Sequence, residues 1–171
     1  DFLLGDILNA KMNMCQWDNL QFLIDDLESG LKKNQKVISP FSLLSIIDSP
    51  KLQRKASEIF ASYYYPKDDS LGKLDSYSRH PKIRIGYFSA DFRMHPVATL
   101  TAELYELHDR EEFEIHAFSF GPDTNDEMNL RIKAGVDHFH DVREMSHKDV
   151  AIFARSLEID IAVDLGGYTA D

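Results

Sequence analysis

Three side chains with useful chemistry stand close together in the sequence, namely Asp91, Arg93 and His95. The imidazole of His95 titrates near neutral pH, so it could act as a base, as an acid or as a donor to a phosphate or sugar oxygen. It fits equally well as an ordinary residue at the start of a helix, and the sequence alone favours neither interpretation. For Asp91 the spacing favours closure of the turn through local backbone bonds over contact with a ligand.

A second candidate stretch reads D-L-G-G-Y-T at residues 164–169. Its paired glycines permit close approach of the backbone to a ligand, and the residues after them add hydroxyl groups. The candidate ligand-binding residues here are Asp164, Gly167, Tyr168 and Thr169. The alternative is a plain turn from a strand into a helix. Because the chain contains no G-x-G-x-x-G and no Walker A pattern, dinucleotide and ATP sites of those types lack support.

Two further histidines, His138 and His140, alternate on a predicted short strand next to Asp141. Alternation can place both rings on one face, as metal ligands require. No third partner follows at a recognisable spacing, so we interpret them as exposed histidines of an edge strand and predict no metal site.

The elements around these residues are typical of an α/β fold. Residues 83–88 alternate with the two-residue period of a strand, and Pro96 suits the first position of a helix. Further strands are predicted at residues 113–120, 136–142 and 159–165. Helices between the strands are predicted from Pro96, from about Asn125 and from Ser146, the last with Asp149 at capping spacing.

Two local signals describe these helices further. Val97, Leu100, Leu104 and Leu107 recur at helical spacing and mark the apolar stripe of the first one. Thr124 and Glu127 have the spacing of a capping box at the start of the second.

Strands and helices in alternation predict βαβ units and a parallel sheet. Right-handed crossovers most simply give the strand order 3-2-1-4. Strands one and four are then neighbours, so the loops at residues 89–95 and 164–169 are predicted to face one crevice. Open α/β sheets bind ligands outside this carboxyl edge.

Residues 1–65 are predicted to be helical. Apolar residues recur at helical spacing, and Asp18 is placed to cap the second helix. Ser39-Pro40 and Ser49-Pro50 each have the form of a helix start. The polar, broken segment 66–81 is interpreted as a linker.

Composition narrows the possible partners. The chain has 171 residues, of which 43% are hydrophobic and 28% charged, as in ordinary globular proteins. Its 19 basic and 29 acidic residues give a net charge of −10, which argues against nucleic-acid binding. The single Cys15 cannot form an internal disulfide and is compatible with a reducing cytosol, and no apolar run reaches membrane-spanning length. Small molecules or proteins are the expected partners.

Several motifs follow one another in a fixed order: C-Q-W-D, S-P-F-S-L-L, I-R-I-G-Y-F-S-A-D-F-R-M-H-P, F-E-I-H-A-F-S-F-G and I-D-I-A-V-D-L-G-G-Y-T. In this order they resemble the bacterial relatives of protein O-linked N-acetylglucosamine transferase. These are the tetratricopeptide-containing glycosyltransferases of family 41, which include the Spindly-type enzymes. The combination of S-x-D-F-x-x-H-P with a later D-L-x-G-Y-T is far more specific than either motif alone.

The resemblance implies a GT-B architecture, in which two Rossmann-like lobes face a cleft behind tetratricopeptide repeats. Residues 1–65 would then end the helical region, and residues 82–171 would form an incomplete first lobe. His95 matches the cleft histidine of the family, which positions the substrate or acts as a base. The other matching positions are Asp91, Pro96, Gly167, Tyr168 and Thr169.

Two positions depart from the animal members of the family. Their second histidine is Thr99 here, so its role cannot be transferred. Their aspartate in the helix before the last strand, proposed to relay the acceptor proton, is Ile152 here. Asp149, three residues earlier, is a substitute candidate that also fits a capping role.

The resemblance implies an inverting transferase that moves N-acetylglucosamine from UDP-N-acetylglucosamine to Ser or Thr of a protein or peptide in the cytoplasm. It implies no metal and no cofactor beyond the nucleotide sugar. Because the donor is expected mainly on the second lobe, we expect this fragment alone to be inactive. Two alternatives stay open: a non-catalytic protein-binding scaffold, and a relative that uses fucose or an Asn acceptor.

Overall fold

The computed structural model describes residues 1–74 and 76–169. They divide into two compact units, one from Asp1 to Ser70 and one beginning at Leu71. The boundary lies inside the segment that the sequence predicts as a linker. No helix in the described ranges combines the length and the apolar character needed to cross a bilayer.

The later part of that segment contacts the second unit. The carbonyl oxygen of Leu71 accepts a hydrogen bond from Arg155 Nη1 at 2.7 Å. The Tyr77 hydroxyl donates to Asp160 Oδ1 at 2.9 Å, and the other oxygen of Asp160 accepts from the Arg84 N–H at 2.8 Å. Leu71 and Tyr77 therefore pack as part of the second unit, although the sequence predicts them to lie in the linker.

The first unit is helical, as predicted. Its helices are α1 (Leu3–Asn13), α2 (Leu20–Lys32), α3 (Pro40–Leu43) and α4 (Pro50–Tyr64). Pro40 and Pro50 begin α3 and α4, which confirms both Ser-Pro helix starts. The prediction of Asp18 as a cap is wrong, because Asn19 precedes α2 in a left-handed conformation and makes no side-chain capping bond. The buried core of this unit consists of Leu8, Leu27, Leu31, Ile38, Leu43, Ile47 and Ala56.

The second unit alternates strands and helices. In chain order they are β1 (Ile83–Ser89), α5 (Pro96–Leu107), β2 (Phe113–Ser119), α6 (Glu127–Gly135), β3 (His138–Asp141), α7 (His147–Ser156) and β4 (Ile161–Asp164). The four strands form one parallel sheet in the order β3-β2-β1-β4. This confirms the predicted α/β class and strand order. In register, Phe88 pairs with Asp164, so β1 and β4 end side by side.

Side chains alternate between the two faces of this sheet. Ile85 and Tyr87 of β1, together with Ile115 and Ala117 of β2, are buried in one core with residues of α5 and α6. On the opposite face Phe118 stacks on Phe88 and lies against Phe153 of α7, with ring centres 5.9 Å apart in the latter pair. Helices therefore cover both faces, which is the Rossmann-like arrangement.

Helix α5 contacts the sheet through a face that its leucines do not mark. Ala98, Ala102 and Tyr105 are buried, whereas the leucine stripe at positions 100, 104 and 107 is exposed. The alanines let the helix lie close to the sheet, and the Tyr105 ring packs against Tyr87 and Phe92. Helical spacing alone did not identify this buried face.

Candidate active site

The loop after β1, residues 89–95, is closed by its own polar groups. The Asp91 N–H donates to Ser89 Oγ at 2.9 Å, and the Arg93 N–H donates to the Asp91 carbonyl at 2.8 Å. The Asp91 carboxylate lies 3.2 Å from Arg93 Nη2 and 3.5 Å from His95 Nδ1. Arg93 Nε is buried and makes no hydrogen bond with the described residues. Asp91 thus shapes the turn and also fixes the two basic side chains beside it.

His95 is the residue that precedes α5, and Pro96 begins the helix as predicted. The Val97 N–H donates to His95 Nδ1 at 3.3 Å, while Asp91 Oδ2 lies 3.5 Å from the same nitrogen. One nitrogen cannot accept the first contact and donate to the second, so the two contacts require opposite tautomers. In one the ring offers an Nε2–H donor, and in the other it offers a basic Nε2. The His95 side chain is 33% exposed, so this nitrogen can serve a ligand in either role.

The start of α6 holds the His95 loop from the side. The Met94 N–H donates to Asp126 Oδ2 at 2.9 Å, and Asn129 Nδ2 donates to the Phe92 carbonyl at 2.6 Å. Asp126 also caps α6, since its other oxygen accepts the Asn129 N–H at 2.9 Å. The Thr124 hydroxyl, then the Met94 and Asn129 N–H groups, lower the pKa of Asp126 to about 2.

The predicted capping box is therefore wrong, because Asp126 and not Thr124 caps α6. The Thr124 hydroxyl donates to the Asp126 carboxylate instead of capping the helix itself, and Glu127 is the first helical residue. Sequence inspection missed both Asp126 and Asn129 as supports of the His95 loop. The available signal was an aspartate directly before a helix, three residues ahead of an asparagine.

The loop after β2 approaches the His95 loop closely. The Phe120 N–H donates to the Ser89 carbonyl at 3.2 Å. A Cβ atom on Gly121 would lie 1.7 Å from the Ala90 carbonyl oxygen, so only glycine fits there.

The loop after β4, residues 164–169, begins beside the His95 loop. The Leu165 N–H donates to the Phe88 carbonyl at 3.1 Å, which joins the two strand ends. Asp164 Oδ1 accepts the Gly166 N–H at 2.9 Å, and Oδ2 accepts the Gly167 N–H at 3.2 Å. Gly167 has a φ of 55°, where glycine is favoured. We call residues 89–95 and 164–169 together the carboxyl-edge loops.

These bonds change the interpretation of the D-L-G-G-Y-T stretch. The sequence predicts close approach of the glycine backbone to a ligand, but the Asp164 carboxylate already accepts the N–H groups of both glycines. The Thr169 hydroxyl likewise donates to the Gly166 carbonyl at 2.6 Å. Tyr168 is 37% exposed in the same loop. Asp164 and Thr169 thus shape the loop, and Tyr168 is its accessible aromatic side chain.

The remaining candidates lie on α5 and α7. The Thr99 hydroxyl donates to the His95 carbonyl at 3.1 Å, inside the first turn of α5. Asp149 accepts from the Ser146 hydroxyl at 2.6 Å and donates its N–H to the same oxygen, which confirms the predicted helix start. Ile152 is exposed on α7. Because α7 packs on the face opposite α5, the structure does not bring Asp149 and His95 together in one hydrogen-bonded group.

The sequence model of the family described as glycosyl transferase family 41 matches residues 60–171, well over half of the chain. The chain is 27% identical over 180 aligned residues to the probable UDP-N-acetylglucosamine–peptide N-acetylglucosaminyltransferase SEC of Arabidopsis thaliana. It is 32% identical over 91 residues to the UDP-N-acetylglucosamine–peptide N-acetylglucosaminyltransferase of Caenorhabditis elegans.

These alignments cover 95% and 52% of this chain, but only 18% and 8% of the respective relatives. Among solved structures, a mutant of the O-GlcNAc transferase of Thermobaculum terrenum superposes with a TM-score of 0.64 at 25% identity. That superposition covers 96% of this chain and 32% of the other. The family match, the two relatives and the shared fold agree, and the chain belongs to glycosyl transferase family 41.

Proposed function

We propose that this chain is the acceptor-side part of an inverting glycosyltransferase. In this proposal the enzyme transfers N-acetylglucosamine from UDP-N-acetylglucosamine to a Ser or Thr hydroxyl of a cytoplasmic protein. The relatives named above carry this donor and a peptide acceptor in their names, which supports the choice. The helical first unit would end a tetratricopeptide array, and the nucleotide would be held mainly by parts of the protein outside this chain.

The observation that carries the proposal is the placement of His95. It stands at the start of α5, at the carboxyl edge of a parallel sheet, with a half-buried ring whose Nδ1 is engaged by Val97 in one tautomer and by Asp91 in the other. Nε2 is therefore the atom of this ring that remains for a substrate. Such edges are where open α/β sheets bind ligands.

The chemistry follows from the bonds exchanged. The acceptor hydroxyl oxygen attacks the anomeric carbon, the bond from that carbon to the diphosphate breaks, and UDP leaves. His95 Nε2 either accepts the hydroxyl proton or, as the other tautomer, donates a hydrogen bond that orients the sugar or a phosphate oxygen. The helix start at Pro96 adds a positive field that favours the developing negative charge.

A second candidate is a non-catalytic scaffold that binds proteins. Two observations favour it: Thr99 bonds back to its own helix where the animal enzymes have a histidine, and Ile152 supplies no proton acceptor.

Transfer assays on the whole protein that carries this chain separate the two candidates. The protein is incubated with Ser- and Thr-containing peptides and UDP-N-acetylglucosamine, and UDP release and the acceptor mass are measured. We expect UDP release matched by addition of one N-acetylhexosamine, and no competition by GDP-fucose. Absence of both products with a broad peptide library would support the scaffold instead.

A further inference from the structure

A cluster of imidazoles and one carboxylate lies on β2 and β3, on the sheet face that α7 packs against. The parallel register places His116 beside His138, and the two-residue period brings Glu114 and His140 to the same face. We call Glu114, His116, His138 and His140 the histidine cluster. The sequence offered only two of its members on one strand, and the neighbouring strand supplies the missing partners.

The polar atoms of this cluster converge on one point. Glu114 Oε1 lies 2.9 Å from His138 Nε2 and 3.3 Å from His116 Nε2. One ligand atom from each of these three residues lies within 4.8 Å of the other two. Ligands bound at about 2.1 Å around a tetrahedral zinc ion stand roughly 3.4 Å apart, so the two distances from Glu114 Oε1 would lengthen slightly and the two imidazole nitrogens would approach by at most about 1.4 Å.

The burial of the His116 ring gives a second observation that points to a ligand. Its side chain is only 3% exposed, and Nε2 is buried without a hydrogen-bond partner among the described residues. A buried polar nitrogen without a partner costs free energy, so such an atom calls for an explanation. The atom points toward Glu114 Oε1, where a cation would satisfy both.

The neighbours of the cluster are arranged as supports for metal ligands. His116 Nδ1 lies 3.0 Å from His140 Nε2, and with Nδ1 as the donor the lone pair of His116 Nε2 is left for a metal. Arg84 Nε donates to Glu114 Oε2 at 3.1 Å, which leaves Oε1 directed at the two imidazoles. Phe153 lies edge-on to the His140 ring and shields that side.

We propose that Glu114, His116 and His138 bind one zinc ion, with His140 as the hydrogen-bond partner that fixes the His116 ring. The donor set of two imidazoles and one carboxylate suits zinc and leaves a fourth position on the side of the exposed His138. Because β3 is an edge strand of this sheet, the ion would tie its outer edge to β2. The site lies on β2 and β3, on the sheet face opposite α5, so we assign the ion to holding the edge strand and not to the transfer reaction.

Zinc titration of the 171-residue chain against a coloured competing chelator tests the proposal. We expect one equivalent of zinc to bind and the melting temperature to rise with zinc concentration. His138→Gln and Glu114→Gln should each weaken binding at least about tenfold. His138 is 49% exposed, so its replacement leaves the fold intact even if His116 variants fail to fold.

Two matched controls exclude other zinc-binding groups. His147→Gln removes an exposed histidine outside the cluster, and Cys15→Ser removes the single exposed thiol. Both should bind zinc as the unmodified chain does. The proposal is overturned if the chain binds no stoichiometric zinc, or if His138→Gln and Glu114→Gln retain the original affinity. A loss of zinc binding in either control would overturn it as well. None of these readouts depends on transferase activity.

Discussion

The carboxyl-edge loops and the histidine cluster both gather polar side chains, but they use them differently. At the edge, Asp126 and Asp164 accept backbone N–H groups and hold the loops in place. In the cluster, side chains face one another, and the buried Nε2 of His116 has no hydrogen-bond partner in the part of the chain that the structure describes. The edge is therefore a framework that presents His95, whereas the cluster holds its own polar atoms ready for a ligand.

Gly121→Ala should have the largest effect, because it breaks the framework at the edge. The added Cβ would lie 1.7 Å from the Ala90 carbonyl oxygen, and the atoms that it meets are all backbone atoms of Ala90, which cannot rotate away as a side chain can. We expect a loss of about 3 kcal/mol or more in the free energy of unfolding, or failure to fold. Urea denaturation followed by circular dichroism measures this.

The matched control for that change is Gly166→Ala in the loop after β4. A Cβ there would lie 3.5 Å from Asp164 Oδ1, an ordinary contact. Equal destabilisation by the two substitutions would show that the close approach at Gly121 is not what holds the loops.

Asn129→Ala should have the next largest effect. It leaves the Phe92 carbonyl without its donor at a position where the asparagine is 1% exposed. Loss of a buried hydrogen bond of this kind costs about 1–3 kcal/mol. Glu127→Ala, at an exposed position of the same helix, is the control and should cost far less in the same denaturation assay. Similar midpoints for the two variants would contradict the role given to Asn129.

Acid should weaken the two regions in different pH ranges. Hydrogen bonds from Thr124, Met94 and Asn129 hold the pKa of Asp126 at about 2 against an ordinary 3.8. The stability from Asp126 is therefore complete above about pH 4 and is lost as the pH falls toward 2. Burial, then the charges of His116 and His138, lower the pKa of His140 from an ordinary 6.5 to about 4. The stability that depends on a neutral His140 is therefore complete above about pH 6.5 and is lost as the pH falls toward 4.

Thermal unfolding across this pH range, with a chelator present, separates the two contributions. Asp126→Asn should flatten the loss below pH 4, and His140→Gln should flatten the loss above it. Identical pH profiles for both test variants and the unmodified chain would contradict these assignments.

The sheet was predictable because its signals are local. Alternation, Pro96 and the spacing of the helices were sufficient for the strand order, and the Ser146–Asp149 start was confirmed. The buried face of α5 was not predictable from helical spacing, because Tyr105 is selected by rings that come from β1 and its loop. An apolar stripe identifies the more hydrophobic side of a helix, but packing against the sheet determines which side is buried.

The candidate site was predictable in part. His95 and the D-L-G-G-Y-T stretch were found from their position at strand ends, and the register places the two strand ends side by side. Asp126 and Asn129 were missed as supports of the His95 loop, because hydrogen bonds between separate loops produce no regular spacing of residues in the sequence. The same reason hid His116 from the search around His138, because the pairing depends on strand register.

Replacement of His95 by asparagine in the whole protein tests whether the imidazole takes part in sugar transfer. Asparagine is a strong N-cap, so it preserves the start of α5 while it removes the imidazole. The melting temperature should stay unchanged while kcat/KM for transfer from UDP-N-acetylglucosamine to a peptide falls about 10²-fold, and His147→Asn should change neither. A stable His95→Asn protein with transfer activity within about twofold of the original would contradict the account, because His95 would then only cap a helix.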